Sequence, residues 1–188
     1  MAKDQFSDDQ ISSQTSVSYA KIYSGVSDVN YYNSSNSNLN DCGNSAFGDC
    51  SFDGSALTLD VYYPNKKFYS CYKTQPLPVI FLFPGGGFSD CVDNAEGTHD
   101  YCLAFAKRGF VAVNVNYRTG RLKDTANALS ASLFLAMYRA YQDGRGAIRT
   151  VISENDTNKN FKIDTGYIFV GGISAGGEIS LNIAYAHS

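Results

Sequence analysis

From residue 56 onward, apolar and polar positions fall into short alternating blocks. "ALTLDVYYP" (56–64) alternates apolar with polar residues and ends at Pro64, which predicts a half-buried strand. "LPVIFLFP" (77–84) is a continuous β-prone run between prolines, the pattern of a strand buried on both faces. Residues 98–108 read as a helix with Tyr101, Leu103, Phe105 and Ala106 among its apolar positions and Gly109 as its stop. "GFVAVNVNYR" (109–118) is the next strand. Residues 124 to about 154 are helical in pattern, with Phe134, Met137, Tyr141, Ile148 and Val151 as a core-facing stripe. Gly144 and Gly146 weaken that helix locally. "TGYIFVGG" (165–172) predicts another short buried strand, and the residues after Ser174 read as a helix again. Strands alternating with helices imply crossover connections and a mainly parallel sheet. Chemistry in such sheets gathers at the carboxyl ends of the strands.

Residues 1–56 have a different texture, rich in Ser, Asn, Asp and Gly and densest at "NYYNSSNSNLNDCGNSAFGDC". That composition predicts a polar, loop-rich N-terminal segment, with the α/β domain occupying residues 57–188. A length of 188 residues fits one domain with a sizeable core. The net charge of −3, without a Lys/Arg cluster, argues against a nucleic-acid surface. The apolar runs are too short to span a bilayer, and the first residues lack the layout of a signal peptide. The triplets Asn33-Ser34-Ser35 and Asn155-Asp156-Thr157 match glycosylation sequons, which also occur by chance.

The cysteines change the picture of location. Cys42, Cys50, Cys71, Cys91 and Cys102 form no C-x-x-C pair, and with only His99 and His187 a zinc site fits poorly. Cysteines in loop-like sequence suit disulfides, with Cys42–Cys50 and Cys91–Cys102 the local pairings and Cys71 odd. Disulfides imply a secreted or periplasmic protein; five reduced thiols in the cytoplasm are the alternative.

Two motifs sit where a strand ends. Gly172-Ile173-Ser174-Ala175-Gly176 lies between a strand and a helix, where a nucleophile elbow needs flanking glycines and lifts a serine hydroxyl clear of the sheet. An ordinary strand-to-helix turn also fits the pentapeptide. Pro84-Gly85-Gly86-Gly87-Phe88 follows the strand "VIFLF", and consecutive glycines let backbone N–H groups approach a developing oxyanion. Its alternative is a flexible glycine turn; no G-K-[ST] or G-x-G-x-x-G supports a phosphate loop.

With "FPGGGF" (83–88), "VAVNVNYR" (111–118), "YQDGRGAIRTV" (141–151) and "YIFVGGISAGG" (167–177) in this order, residues 57–188 resemble the N-terminal part of an α/β-hydrolase of the carboxylesterase/lipase group with an HGGG-type oxyanion loop. The resemblance implies a three-layer α/β/α sandwich truncated after the elbow helix. It implies Ser174 as the acyl-forming nucleophile, Ala175 as one oxyanion donor and Gly86 and Gly87 as the others, within one position. It implies no cofactor, a small-molecule ester as substrate, and scaffold roles for Tyr117, Arg118 and the segment 143–149, whose residue-level reading is surface or helix-face contacts. Pro84 stands where the family pattern has His, so a changed loop is expected. A peptidase, an amidase, a polysaccharide esterase or a binding domain without a triad would keep the same fold. Oligomeric state is open.

The base and acid of the triad are expected after the elbow, in the order Ser, acid, His. Only 14 residues follow Ser174, with Glu178 and His187 as candidates. A helix would place His187 ~20 Å from Ser174, and Glu178 suits a helix-start carboxylate. His99, beside Asp100, would break the family order and reads better as a surface or helix-start histidine. The expectation is therefore an incomplete chain, nearly inactive by itself and prone to aggregate, with residues 167–170 left as an exposed apolar edge.

Overall fold

The computed structural model describes residues 7–21, 56–65, 75–88, 98–119, 121, 131–157 and 161–186. Cys42, Cys50, Cys71, Cys91, the Asn33 sequon, His187 and the expected helix start at 124 lie outside the described residues.

Among the described residues there are five strands and three α-helices, which alternate from the third strand onward. They are β1 (Ile11–Lys21), β2 (Ala56–Pro64), β3 (Leu77–Phe83), α1 (Thr98–Lys107), β4 (Val111–Val115), α2 (Ala131–Ser153), β5 (Ile163–Gly172) and α3 (Ala175–Tyr185). The strands form one sheet in the order β1-β2-β4-β3-β5. β3 pairs in parallel with both β4 and β5, and β2 pairs antiparallel with both β1 and β4. Four strands therefore run one way and β2 runs against them.

Strand alternation sorts side chains into two clusters, one on each face. Val79, Phe81, Phe83, Val111, Val113 and Val115 pack under α2 and α3. Ile80, Leu82, Ala112 and Tyr62 pack under α1, through Cys102 and Ala106. Helices on both faces give the expected three layers. They also correct the reading of β2: Leu59, Val61 and Tyr63 join one cluster and Tyr62 the other, so the strand is buried on both faces. β3 is buried as its continuous apolar run predicts.

Within the segment read as mostly loop, residues 11–21 form a strand the sequence did not suggest: they are β1 and pair with β2 from Ile11↔Pro64 to Lys21↔Ala56. β5 is longer than expected and is the outer strand beyond β3, so it is largely uncovered rather than buried. Tyr167 and Phe169 are exposed on it. Phe169 nevertheless meets Phe110 edge-on.

α1 and α2 bury mainly residues other than their largest apolar ones. In α1 the buried positions are Thr98, Cys102 and Ala106, while Tyr101 is exposed. In α2 the innermost line is Ala136, Ala140, Ala147 and Val151, with Phe134 exposed and Met137, Tyr141 and Ile148 partly buried. Small residues let α2 approach the sheet closely, and Gly144 is the tightest point. A Cβ there would come 2.8 Å from Ile183 Cδ1 and 2.9 Å from Phe83 Cε1. The glycine thus costs helix propensity and permits close packing, and the helix runs through it unbroken. Gly109 ends α1 with a φ of 88°, as its stop signal predicts.

Two residues that bear on modification are tied into the fold here. Cys102 is fully buried and unbridged, so the Cys91–Cys102 pairing is not formed. Its spacing from Thr98 and Ala106 puts the thiol on the helix stripe that faces the sheet. Asn155 of the second sequon uses its side-chain amide within the fold, donating to the Ile163 carbonyl at 3.1 Å and accepting from Ile163 N–H at 2.8 Å. Among the described residues no helix is long and apolar enough to cross a membrane.

Candidate active site

Phe83 and Gly172, the last residues of β3 and β5, are register partners. The two chain segments that leave the sheet there are the glycine loop 84–88 and the turn that carries Ser174. The two predicted motifs are therefore neighbours at the carboxyl end of the sheet.

The serine turn is held by contacts that leave no room for side chains. A Cβ on Gly172 would lie 2.3 Å from the Gly176 carbonyl oxygen and 2.8 Å from that of Phe83. A Cβ on Gly176 would lie 2.0 Å from the Phe83 carbonyl oxygen and 2.7 Å from that of Pro84. Both glycines of the G-x-S-x-G pattern are thus required by backbone approach. Ile173 N–H donates to the Phe83 carbonyl at 3.2 Å, and Gly176 N–H to the Ile173 carbonyl at 2.9 Å. Between them Ser174 takes φ 52° and ψ −118°, a conformation that L residues rarely adopt. Such a residue carries ~1–3 kcal/mol of strain and persists where its surroundings over-determine it.

Ser174 precedes α3, yet its side chain makes no capping hydrogen bond, and the residue is exposed. A serine in that place ordinarily caps its helix. Here the positive φ turns the side chain away from the helix it begins. Ala175 and Gly176 are buried in the first turn of α3, and Glu178 N–H returns to the Ser174 carbonyl at 3.2 Å. The positive end of the α3 dipole accordingly lies at the serine.

The glycine loop abuts this turn. A Cβ on Gly85 would sit 3.2 Å from the Ile173 carbonyl oxygen and 3.5 Å from Ser174 Cβ. Gly86, Gly87 and Phe88 have φ of 122°, 61° and 61°, so three successive residues lie in the left-handed half of backbone space. Glycine is the permissive residue at the first two. Pro84, in the place of the family's His, is buried, and its carbonyl accepts a hydrogen bond from the Tyr117 hydroxyl at 2.7 Å.

Tyr117 and Asp143 are both buried, which corrects the reading of these polar residues as surface contacts. Arg118 places Nε 2.9 Å from Asp143 Oδ2 and a terminal nitrogen 2.8 Å from Oδ1, while its main-chain N–H donates to Oδ2 at 2.9 Å. This fork ties the exit of β4 to the middle of α2. Burial, reinforced by the Glu178 carboxylate, raises the Tyr117 phenol well above its ordinary value. The same two causes, in the same order, raise Tyr141.

The remaining candidates fall elsewhere or into other roles. Glu178 is exposed in the first turn of α3, as a helix-start carboxylate is expected to be. His99 is the second residue of α1, and its Nδ1 lies 2.9 Å from the Tyr62 hydroxyl. Tyr62 pairs with Ala112, which in turn pairs with Ile80, three residues before the end of β3. Tyr62 packs in the cluster under α1, so His99 bonds on the α1 face of the sheet, opposite the face covered by α2 and α3. Asp100 beside it is exposed. Sequence reasoning underrated Tyr117, whose signal was an aromatic residue two positions past a buried strand.

A family model described as BD-FAE matches residues 59–188. The Arabidopsis thaliana protein Carboxylesterase 20 is 28% identical over 111 residues, covering 58% of this chain and 30% of that protein. Among solved structures, Esterase B from Lactobacillus rhamnosis superposes with a TM-score of 0.55 at 18% identity, over 96% of this chain and 41% of that one. The butyrate-bound esterase Est2 of the Planctomycetes species Thermogutta terrifontis gives a TM-score of 0.50 at 25% identity, over 69% of this chain and 40% of that one. The chain spans less than half the length of each of these relatives. By its match over well more than half of its own length, the chain belongs to the BD-FAE family, on the α/β-hydrolase fold of these esterases.

Proposed function

We propose that the protein containing this chain is a carboxylic ester hydrolase of small-molecule esters, with Ser174 as its nucleophile. The observation that carries the reading is the backbone of Ser174, at φ 52°, in an exposed residue whose side chain is not spent on capping α3. Strain of this kind is stored where a function uses it. The esterase relatives point the same way.

In the reaction the Ser174 oxygen attacks the ester carbonyl as its proton passes to a general base. The carbonyl oxygen becomes an oxyanion within reach of the N–H groups of Gly86, Gly87 and Ala175. Collapse expels the alcohol and leaves an acyl-serine, which water hydrolyses to the acid and free enzyme. Neither a metal nor an organic cofactor is needed for this sequence. The family's chain order puts the base after the elbow, so in this reading a histidine outside the described residues takes the proton; His99, which precedes the elbow, is bonded through Nδ1 to Tyr62. The mechanism thus depends on residues beyond those that hold the serine.

The test compares the full natural protein with its Ser174→Ala variant on a short-chain chromogenic ester, together with mass-spectrometric mapping of an alkyl phosphonate label. Loss of turnover by at least ~10³-fold and labelling confined to Ser174 are expected. Equal turnover by the two proteins would remove Ser174 from the mechanism.

A further inference from the structure

Three consecutive glycines have no intrinsic shape. An oxyanion loop made of them must be ordered by contacts from outside, because each glycine loses more backbone freedom on ordering than any other residue. Pro84 sharpens the requirement, since it has no N–H and can be hydrogen-bonded only through its carbonyl. Contacts that hold both ends of the loop come from Tyr117 and Arg121, which follow β4.

The Tyr117 hydroxyl donates to the Pro84 carbonyl at 2.7 Å and lies 3.4 Å from the Gly85 carbonyl oxygen. The Tyr117 ring packs against the Phe88 ring with centroids 6.2 Å apart. Arg121 N–H donates to the Phe88 carbonyl at 2.8 Å. The loop is therefore gripped at its first residue and at its last, and the peptide planes of Gly85, Gly86 and Gly87 lie between the two grips. The gripping segment is itself anchored, because Arg118 is forked onto the buried carboxylate of Asp143 in α2. This chain of contacts runs from a rigid helix to the glycines beside Ser174.

We infer that Tyr117 is a positioning residue for ester hydrolysis, whose hydroxyl fixes the glycine loop in the orientation that presents its N–H groups to the oxyanion. The inference rests on the reading of Ser174 and the glycine loop proposed above. Tyr117 touches neither substrate nor reacting atoms; it acts through the Pro84 peptide. Its raised phenol keeps the proton, and so remains a donor, throughout the ordinary working range of pH.

Tyr117→Phe isolates the effect, since it removes one oxygen and keeps the ring against Phe88. In the full natural protein the variant is expected to lose kcat by up to ~10²-fold on a short-chain ester, the scale of a small misplacement of catalytic groups. KM is expected to stay within about twofold, because a donor that matters chiefly in the transition state is misplaced. Amide hydrogen exchange at residues 85–88 is expected to quicken while α2 and α3 keep their protection. The exchange readout is independent of catalysis. If Ser174→Ala keeps full turnover while Tyr117→Phe still loosens 85–88, the nucleophile assignment fails and the grip on the loop stands. Unchanged kcat would overturn the positioning role whether or not exchange quickens, and so would a rise in KM alone. Loss of cooperative melting in Tyr117→Phe would also overturn it, by making the hydroxyl a support of the whole fold rather than of one loop.

Discussion

The two faces of the sheet hold similar apolar side chains but manage close approach differently. Under α2 and α3, large side chains such as Phe81 and Phe83 share the space with close backbone contacts: Gly172, Gly176 and Gly144 lie where any Cβ would meet a neighbour within 3 Å. Under α1 the corresponding space is filled by side chains, among them Cys102, Tyr62 and Ala106. The first face ends at the exposed, strained Ser174. The second carries His99, the residue type a hydrolase needs, as a hydrogen-bond partner of Tyr62. Residue chemistry alone would rank the faces equally. Backbone that admits no side chain and forces a serine to positive φ separates them.

The sharpest way to break that contrast is Gly176→Ala. Its Cβ would fall 2.0 Å from the Phe83 carbonyl oxygen and 2.5 Å from the carbonyl carbon, neither of which is the end of a flexible side chain. The start of α3 must then move off β3. We expect destabilisation above ~3 kcal/mol, beyond the ordinary range for overpacking, read as a loss of soluble protein or a steep fall in the denaturant midpoint. A variant as stable as the parent would mean that α3 does not sit this close to Phe83.

Asp143→Ala comes next. Asp143 is almost wholly buried, and its removal leaves the Arg118 guanidinium, itself mostly covered, without its carboxylate. Breaking a buried pair from one side costs about 3 kcal/mol. The midpoint of urea unfolding measures it; a change below about 1 kcal/mol would reduce the fork to a surface-like contact.

The legible parts of the sequence were those where one signal dominated. The run 77–83 could only be a buried strand, and G-x-S-x-G between a strand and a helix specified the turn that Ser174 occupies. β1 was illegible because "ISSQTSVSYAK" is rich in serine, and pairing with β2 along backbone hydrogen bonds asks little of its side chains. Of the α2 stripe, Val151 is buried, Met137, Tyr141 and Ile148 pack against the core partly buried, and only Phe134 is exposed. The fully buried Ala136, Ala140 and Ala147 escaped notice because small residues carry little apolar signal. Burial of β2 on both faces depends on α1 and α2 arriving from distant sequence. The grip of Tyr117 on Pro84 spans 33 residues and leaves no local pattern.

Cys102 offers the smallest and most specific effect. The sequence put it in a disulfide, whereas the structure buries it against the sheet as a free thiol. Burial, then the nearby Asp60 carboxylate, pushes its pKa up to about 12 from 9.0. In the unfolded chain the thiol ionises at its ordinary value, while the folded protein holds the proton until about 12. Between those values the unfolded state has bound fewer protons, so stability falls as pH rises; below pH 9 this group adds no slope. Tyr62, pushed up to about 12 by its own burial first and Asp60 next, steepens the same limb above pH 10. Cys102→Ala removes the thiol's share together with the smallest of the three causes that raise Tyr62. The variant should lose about 1 kcal/mol at pH 8 from thinner packing, and the gap to the parent should narrow or reverse by pH 10.5. Urea midpoints at the two pH values decide it: a gap of constant size would mean that Cys102 ionises alike in both states and is not sealed beneath α1.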